Sequence, residues 1–429
     1  MTERVVMAFD VPTTRGFYSS LSDGWTYLNG GERAQVPERV LSAMTTSFRA
    51  APKSLPGEAA SGSHSRSLEA GSTAAGQFEA MARRAFADVA GAPFNCVVLG
   101  SSREMLVHTF VHSFGRRMSI GRNIVVTRTG DVTMQLPFRR GADMFGAELR
   151  IAEADLATGA VPEWQYGDLV DEHTSLVVVP AADPFVGTVA PVAEICQQVH
   201  ESSDAWVLVD ASAYAASRII DMDKLGADIV LLDAAAWGGP DVSALVFRDP
   251  TMFERMTPMW ASQSVQGPQR LEIARVSPSL LGGVSESVRH LADLDRLARG
   301  TRRHRIVQSM PQVERYLSQL TDRLIDSLEL LPRVHIIGVN DNTDDDDLDY
   351  TEVQRIPRLS FIVYGVPAKT VVRRLMDNGL VTSVVNSVDS PLMAAMGLDE
   401  SDGAVAVGLQ PFNTPHDVDQ LVRAVASLG

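Results

Sequence analysis

The 429-residue chain is long enough for one large α/β unit and a smaller one. Hydrophobic residues make up 45% and charged residues 21%, ordinary values for a globular protein. A formal net charge of −15 argues against partners that demand clustered Lys and Arg, so neither nucleic acid nor an anionic membrane is expected. No apolar run reaches the roughly 18 residues that span a bilayer. The opening residues Met1 to Met7 contain no long apolar stretch, so no signal peptide is expected. Two cysteines, Cys96 and Cys196, provide no disulfide framework, and a cytoplasmic location is the expectation.

In chain order, residues 1–40 read as an N-terminal arm, followed by a helix over 38–50. Residues 51–75 are rich in Ser, Gly, Ala and Pro and predict a loop. Helical spacing returns over 76–90, where Phe78, Met81, Ala82, Ala85 and Phe86 share a face. Short apolar runs then alternate with helical segments: 96–99, 124–126, 175–179, 206–209, 229–232 and 244–247. That alternation predicts a mainly parallel sheet covered on both faces, with ligands bound beyond the carboxyl ends of its strands. Residues 285–330 predict one or two long helices linking a large domain (41–284) to a small α+β C-terminal domain (331–429). In the latter, strands are expected at 334–339, 358–364, 380–385 and 404–409, and helices at 367–378, 391–397 and 415–427. The aspartate run at 341–349 lacks the glycine and terminal glutamate of a calcium loop and reads as a solvated insertion. The nine histidines show no metal-ligand spacing, so no metal site is expected.

Five landmarks stand in register. They are Tyr27-Leu28-Asn29-Gly30-Gly31-Glu32-Arg33-Ala34-Gln35-Val36-Pro37; Val207-Leu208-Val209-Asp210-Ala211; Leu225-Gly226-Ala227-Asp228; Gly238-Gly239-Pro240; and Gly403-Ala404-Val405-Ala406-Val407-Gly408-Leu409 with Phe412-Asn413-Thr414. Together they resemble the class V aminotransferases, and the cysteine desulfurase-like subfamily in particular. The resemblance implies the fold-type I architecture of pyridoxal phosphate (PLP) enzymes: a seven-stranded-type sheet between helices, a smaller α+β domain, and a homodimer. It also implies a Schiff-base lysine, an aspartate on the pyridine nitrogen, a stacked histidine, a phosphate cradle at a helix start and an arginine for the substrate carboxylate.

The chain departs from this pattern at most of those positions. Ala236, in Asp233-Ala234-Ala235-Ala236-Trp237-Gly238-Gly239-Pro240, falls where the lysine belongs, and the chain's three lysines are Lys53, Lys224 and Lys369. Asp131 falls near the stacking histidine, Ala213 at the Gln or His after the aspartate, and Ala406 at the substrate arginine. Asp210 retains the pyridine-nitrogen position. Ser101 and Ser102 remain as phosphate donors, with Glu104 opposing them, and Arg275 falls where the family reaches across the dimer. These four residues, Asp210, Ser101, Ser102 and Arg275, define an expected remnant cofactor pocket with no catalytic residue. The expectation is a catalytically inactive relative with a regulatory, scaffolding or ligand-binding role, no bound cofactor, and a homodimer or a heterodimer with an active paralogue. The alternative is a PLP-superfamily enzyme acting on an amino-acid-like substrate with non-covalently held PLP. A pocket plugged by Trp237, Met105 and apolar neighbours favours the first reading; an open pocket near Asp210 with Arg275 beside it favours the second.

Overall fold

The computed structural model describes residues 9–54, 73–260, 265–339, 353–398 and 403–428. The Met1 to Met7 stretch, most of the 51–75 loop and the aspartate run at 341–349 lie outside them.

The six apolar runs and one further edge segment, 148–152, form a seven-stranded sheet. Its strands are β2 (Val97–Gly100), β3 (Asn123–Thr127), β4 (Glu148–Ala152), β5 (Thr174–Pro180), β6 (Trp206–Asp210), β7 (Ile229–Asp233) and β8 (Ser243–Phe247). They lie in the order β2-β8-β7-β6-β5-β3-β4. Only β8 runs against its neighbours. A mainly parallel sheet places the carboxyl ends of β2, β3, β5, β6 and β7 along one edge, where ligands of such sheets bind.

Side chains alternate between two buried clusters. Val97, Val125, Val177, Val207 and Val230 face one side, against the helices Ala74–Ala90, Val192–Ser202 and Pro278–Asp293. Val98, Ile124, Val126, Leu208 and Leu231 face the other, against Arg103–Phe114 and Val132–Phe145. Burial on both faces is why the strands read as continuous apolar runs in sequence.

The segment expected to be one or two helices is two, Pro278–Asp293 and Arg302–Glu329. In the second, Ile306, Met310, Val313, Leu317, Leu320, Leu324 and Leu328 are buried at steps of three and four, the stripe of an amphipathic helix. That stripe belongs to the same core cluster as Leu359, Phe361, Val405 and Val407, so it links the large sheet to a second one. The second sheet is antiparallel: β9 (Val334–Ile336), β10 (Arg358–Val363), β12 (Ser383–Val385) and β13 (Ala404–Gly408), in the order β12-β13-β10-β9.

The N-terminal arm joins this second layer. β1 (Thr26–Tyr27) pairs in parallel with β11 (Leu380–Val381), and the next residues exchange backbone hydrogen bonds with β13, Gly30 N–H to the Gly408 carbonyl and Gly408 N–H to the Leu28 carbonyl. A Cβ on Gly408 would stand 2.1 Å from the Gly31 nitrogen, so the arm fits only against glycine there. Asn413, 1% exposed, fixes the junction: its amide NH2 donates to the Tyr27 carbonyl and its oxygen accepts from Gln410 N–H.

Candidate functional site

Each of four adjacent parallel strands delivers an aspartate to the carboxyl edge. Asp233 ends β7 and Asp210 ends β6; Asp183 follows β5, and Asp131 follows β3. Asp131 and Asp233 cap the turns they begin, accepting the backbone N–H of Thr133 and Ala235. Asp210 accepts the N–H of Ser212 at 3.0 Å. Asp183 is 2% exposed and saturated by the N–H groups of Gly130, Phe185 and Val186. Burial raises its carboxyl above the usual range, and those three donors and the charge of Arg358 pull it back.

Into this arc comes Arg103, the first residue of the helix that follows β2. Its guanidinium lies 3.5 Å from Asp210, 3.6 Å from Asp131 and 3.8 Å from Asp233, with Glu104 at 4.0 Å. Burial by itself would lower the guanidinium, but Asp210, Asp233, Asp131 and Glu104 outweigh it and hold the charge firmly. Asp233 is pushed up to about 6, chiefly by burial, while Arg103, the Ala235 N–H and Ser243 pull it down. Among the described residues one cation thus lies within ion-pair distance of four carboxylates, and the cluster stays acidic.

Two spaces open from the cluster. Beside Asp210, Asp131, Thr129 and Gln135 lies a pocket of about 30 Å³, room for one or two waters. The larger cavity, about 450 Å³, lies between the sheets. Its walls are the arm at Asn29 to Ala34, the sheet edge at Asp131, Asp233 and Ala236, and the second sheet at Arg358, Val385 and Ala406.

The expected site residues divide accordingly. Asp210 sits in the acidic cluster, and Ala213, Ala236 and Ala406 line the large cavity. Ser102 is spent as a helix cap, its hydroxyl accepting Met105 N–H at 3.2 Å, and Ser101 is exposed. Arg275 is exposed and lines neither space. Trp237 is buried away from the cluster, donating from Nε1 to Ser287 and packing edge-on against Phe86. An apolar plug of Trp237 and Met105 is therefore not what fills the space beside Asp210; the charged side chain of Arg103 is. Arg103, Asp183, Asp233 and Arg358 escaped the sequence reading. The signal for the two aspartates was present, since each comes at or just after the end of an apolar run; a single arginine at a helix start carries none.

Comparison with known proteins gives the class. The family model described as Aminotransferase class-V matches residues 26–421, and the chain belongs to that family. It is 37% identical to "Uncharacterized protein MT3887" of Mycobacterium tuberculosis (strain CDC 1551 / Oshkosh), over 99% of this chain and 100% of the relative. It is 22% identical to a "Probable cysteine desulfurase" of Xylella fastidiosa (strain 9a5c), over 93% of this chain and 89% of that one. Among solved structures, the cysteine desulfurase CsdA of Escherichia coli superposes with a TM-score of 0.79 at 19% identity, covering 98% of both chains. The apo cysteine desulfurase of Thermococcus onnurineus NA1 also gives 0.79, at 19% identity and 99% coverage of both. The fold is thus that of the cysteine desulfurases, as the resemblance implied.

PLP is the family's cofactor, and the residues of this site do not fit it. Lys53, Lys224 and Lys369 are all exposed, and none lines either space. The Asp210 carboxylate already faces a guanidinium. A phosphate entering beside Arg103 would meet Asp131, Asp233 and Glu104, and like charges at such distances repel by several kcal/mol, about 4 at an effective dielectric of about 20.

Proposed function

We propose that this chain is a member of the class V aminotransferase family that has given up PLP chemistry and works as a ligand-binding protein of regulatory kind. The observation that carries the reading is the Arg103 guanidinium lodged among Asp131, Asp210 and Asp233. It supplies from within the chain the positive charge that the pyridine nitrogen of a bound ring would otherwise bring to Asp210. The absence of lysine from both spaces removes covalent attachment, and the residues that would recognise a substrate carboxylate or stack on a ring are replaced by Ala406 and Asp131. The 450 Å³ cavity survives between the sheets, which favours ligand binding over a purely scaffolding role.

The family resemblance supports a homodimer. Leu41 and Phe48, seven residues apart on the helix Glu38–Ala50 and 41% and 74% exposed, offer an apolar face for it. A cytoplasmic site of action accords with the two unpaired, buried cysteines. Thermal unfolding with and without excess PLP, run beside an assay for sulfide release from cysteine, tests the reading. No shift in midpoint and no sulfide are expected. A midpoint raised by several degrees, or cysteine-dependent sulfide above a PLP-only control, would refute it.

A further inference from the structure

The cavity between the sheets is electrically lopsided. On its large-sheet wall, Asp131 and Asp233 share one guanidinium with Asp210 and Glu104, leaving an excess of negative charge. At the rim, Arg33 and Asp241 pair with each other at 3.7 Å, and Glu32 accepts the amide of Asn29. The second-sheet wall carries the opposite sign. Arg358, the first residue of β10, is 8% exposed and lines the cavity. Among the described residues its side chain forms no ion pair, and its one hydrogen bond is a long one, 3.5 Å from Nη1 to the Pro184 carbonyl.

The fold takes trouble to place Arg358 there. Gly187 lies against its backbone with φ +88°, where an added Cβ would stand 2.1 Å from the Arg358 carbonyl oxygen, and Gly31 of the arm covers its Cδ and Nε. A guanidinium buried to this degree is costly, and the carboxylates that act on it, Asp183 and Asp210, stand beyond ion-pair distance. A carboxylate held in the cavity would give it the close partner it lacks.

We propose that the cavity binds a small dipolar molecule without PLP, its carboxylate on Arg358 and its cationic end towards Asp131 and Asp233. This rests on the reading given under Proposed function, and specifies the ligand. A phosphate ester is disfavoured by the carboxylates opposite, and a simple dication by Arg358. An ω-aminocarboxylate satisfies both walls, and no α-amino group is required.

The test is calorimetric titration of the whole protein with 4-aminobutanoate, 6-aminohexanoate and 8-aminooctanoate, with hexanoate and hexylamine as single-charge controls. At least one aminocarboxylate should bind at least tenfold tighter than either control. R358Q should weaken that binding roughly thirtyfold or more, the consequence of removing one partner of a buried charge pair. R358K should restore part of it. D233N should weaken the aminocarboxylate while leaving hexanoate unchanged, and this arm stands even if R358Q does not fold. Binding of hexanoate as tight as that of the aminocarboxylates, indifference to both D233N and the Arg358 variants, or no binding of any of the three would overturn the proposal. These probes carry no chromophore, so their failure is separate from uptake of PLP, which is read by its colour and would instead sink the underlying reading.

Discussion

At the residue scale, the site turns on the ratio of charges around Arg103. Asp131, Asp210 and Asp233 are each about four-fifths buried, and among the described residues only this guanidinium lies within ion-pair distance of all three. R103Q keeps a polar side chain but strips the cluster of its cation. It should cost on the order of 3 kcal/mol in urea unfolding, the usual result of leaving buried charges unpaired. Adding D210N to R103Q should recover part of that loss, because one of the repelling carboxylates is then neutral. Asp233 provides a pH signature. Its carboxyl holds a proton up to about pH 6 in the folded chain, above the ordinary carboxylate value. Between about pH 4 and about pH 6 the native state therefore binds a proton that the unfolded chain releases, so this group stabilises the fold at low pH and loses that contribution as pH rises through 6. D233N keeps the cap and the hydrogen bonds without the titration. Wild-type stability relative to D233N, followed by urea unfolding, should fall as pH rises from about 4 to about 7; a difference independent of pH would show that Asp233 is not the titrating group.

At the element scale, what could be read from sequence follows from burial. The six apolar runs became strands because both faces of the large sheet are covered, and the amphipathic helices kept their spacing. β4 was passed over because Glu148, Leu149, Arg150 and Ile151 are exposed or half-buried, so no apolar run marks this edge strand. The single strand expected at 380–385 is two: Leu380–Val381 pairs with the arm, Ser383–Val385 turns to β13, and Thr382 lies between them. Asp210 was legible at the site because a strand ending in aspartate is a local pattern. Arg103 and Arg358 were not, since each becomes distinctive only when the sheets bring it against partners more than 25 residues away in sequence. Asn413 is the hinge pin between arm, β13 and the helix Pro415–Ala426. N413A would leave the Tyr27 carbonyl and the Gln410 N–H without partners and should cost about 2 kcal/mol in thermal or urea unfolding. It should also loosen the arm wall of the cavity, seen as faster hydrogen exchange over β1.

At the scale of the whole molecule, the fold is that of the cysteine desulfurases, and the large cavity is walled by Arg103 with Asp131 and Asp233 of the acidic cluster. A chain that had merely lost its lysine would keep a site shaped for the ring and the phosphate. Here Arg103 stands at the helix start with three aspartates gathered on it, and in the proposed reading the cation for a carboxylate is Arg358 on β10, since β13 carries Ala406. The simplest account is a site rebuilt around its own arginine, with the domain-junction cavity turned to a non-covalent ligand.

The most direct test is the near-ultraviolet and visible absorption spectrum of the purified protein, taken before and after incubation with excess PLP and passage through a desalting column. The account predicts no absorption beyond the protein band in either spectrum, and the same for an A236K variant, because Arg103 and its carboxylates remain in place. A band retained by the wild-type protein after desalting would show that the pocket still holds the cofactor, and would contradict the claim that Arg103 has replaced it.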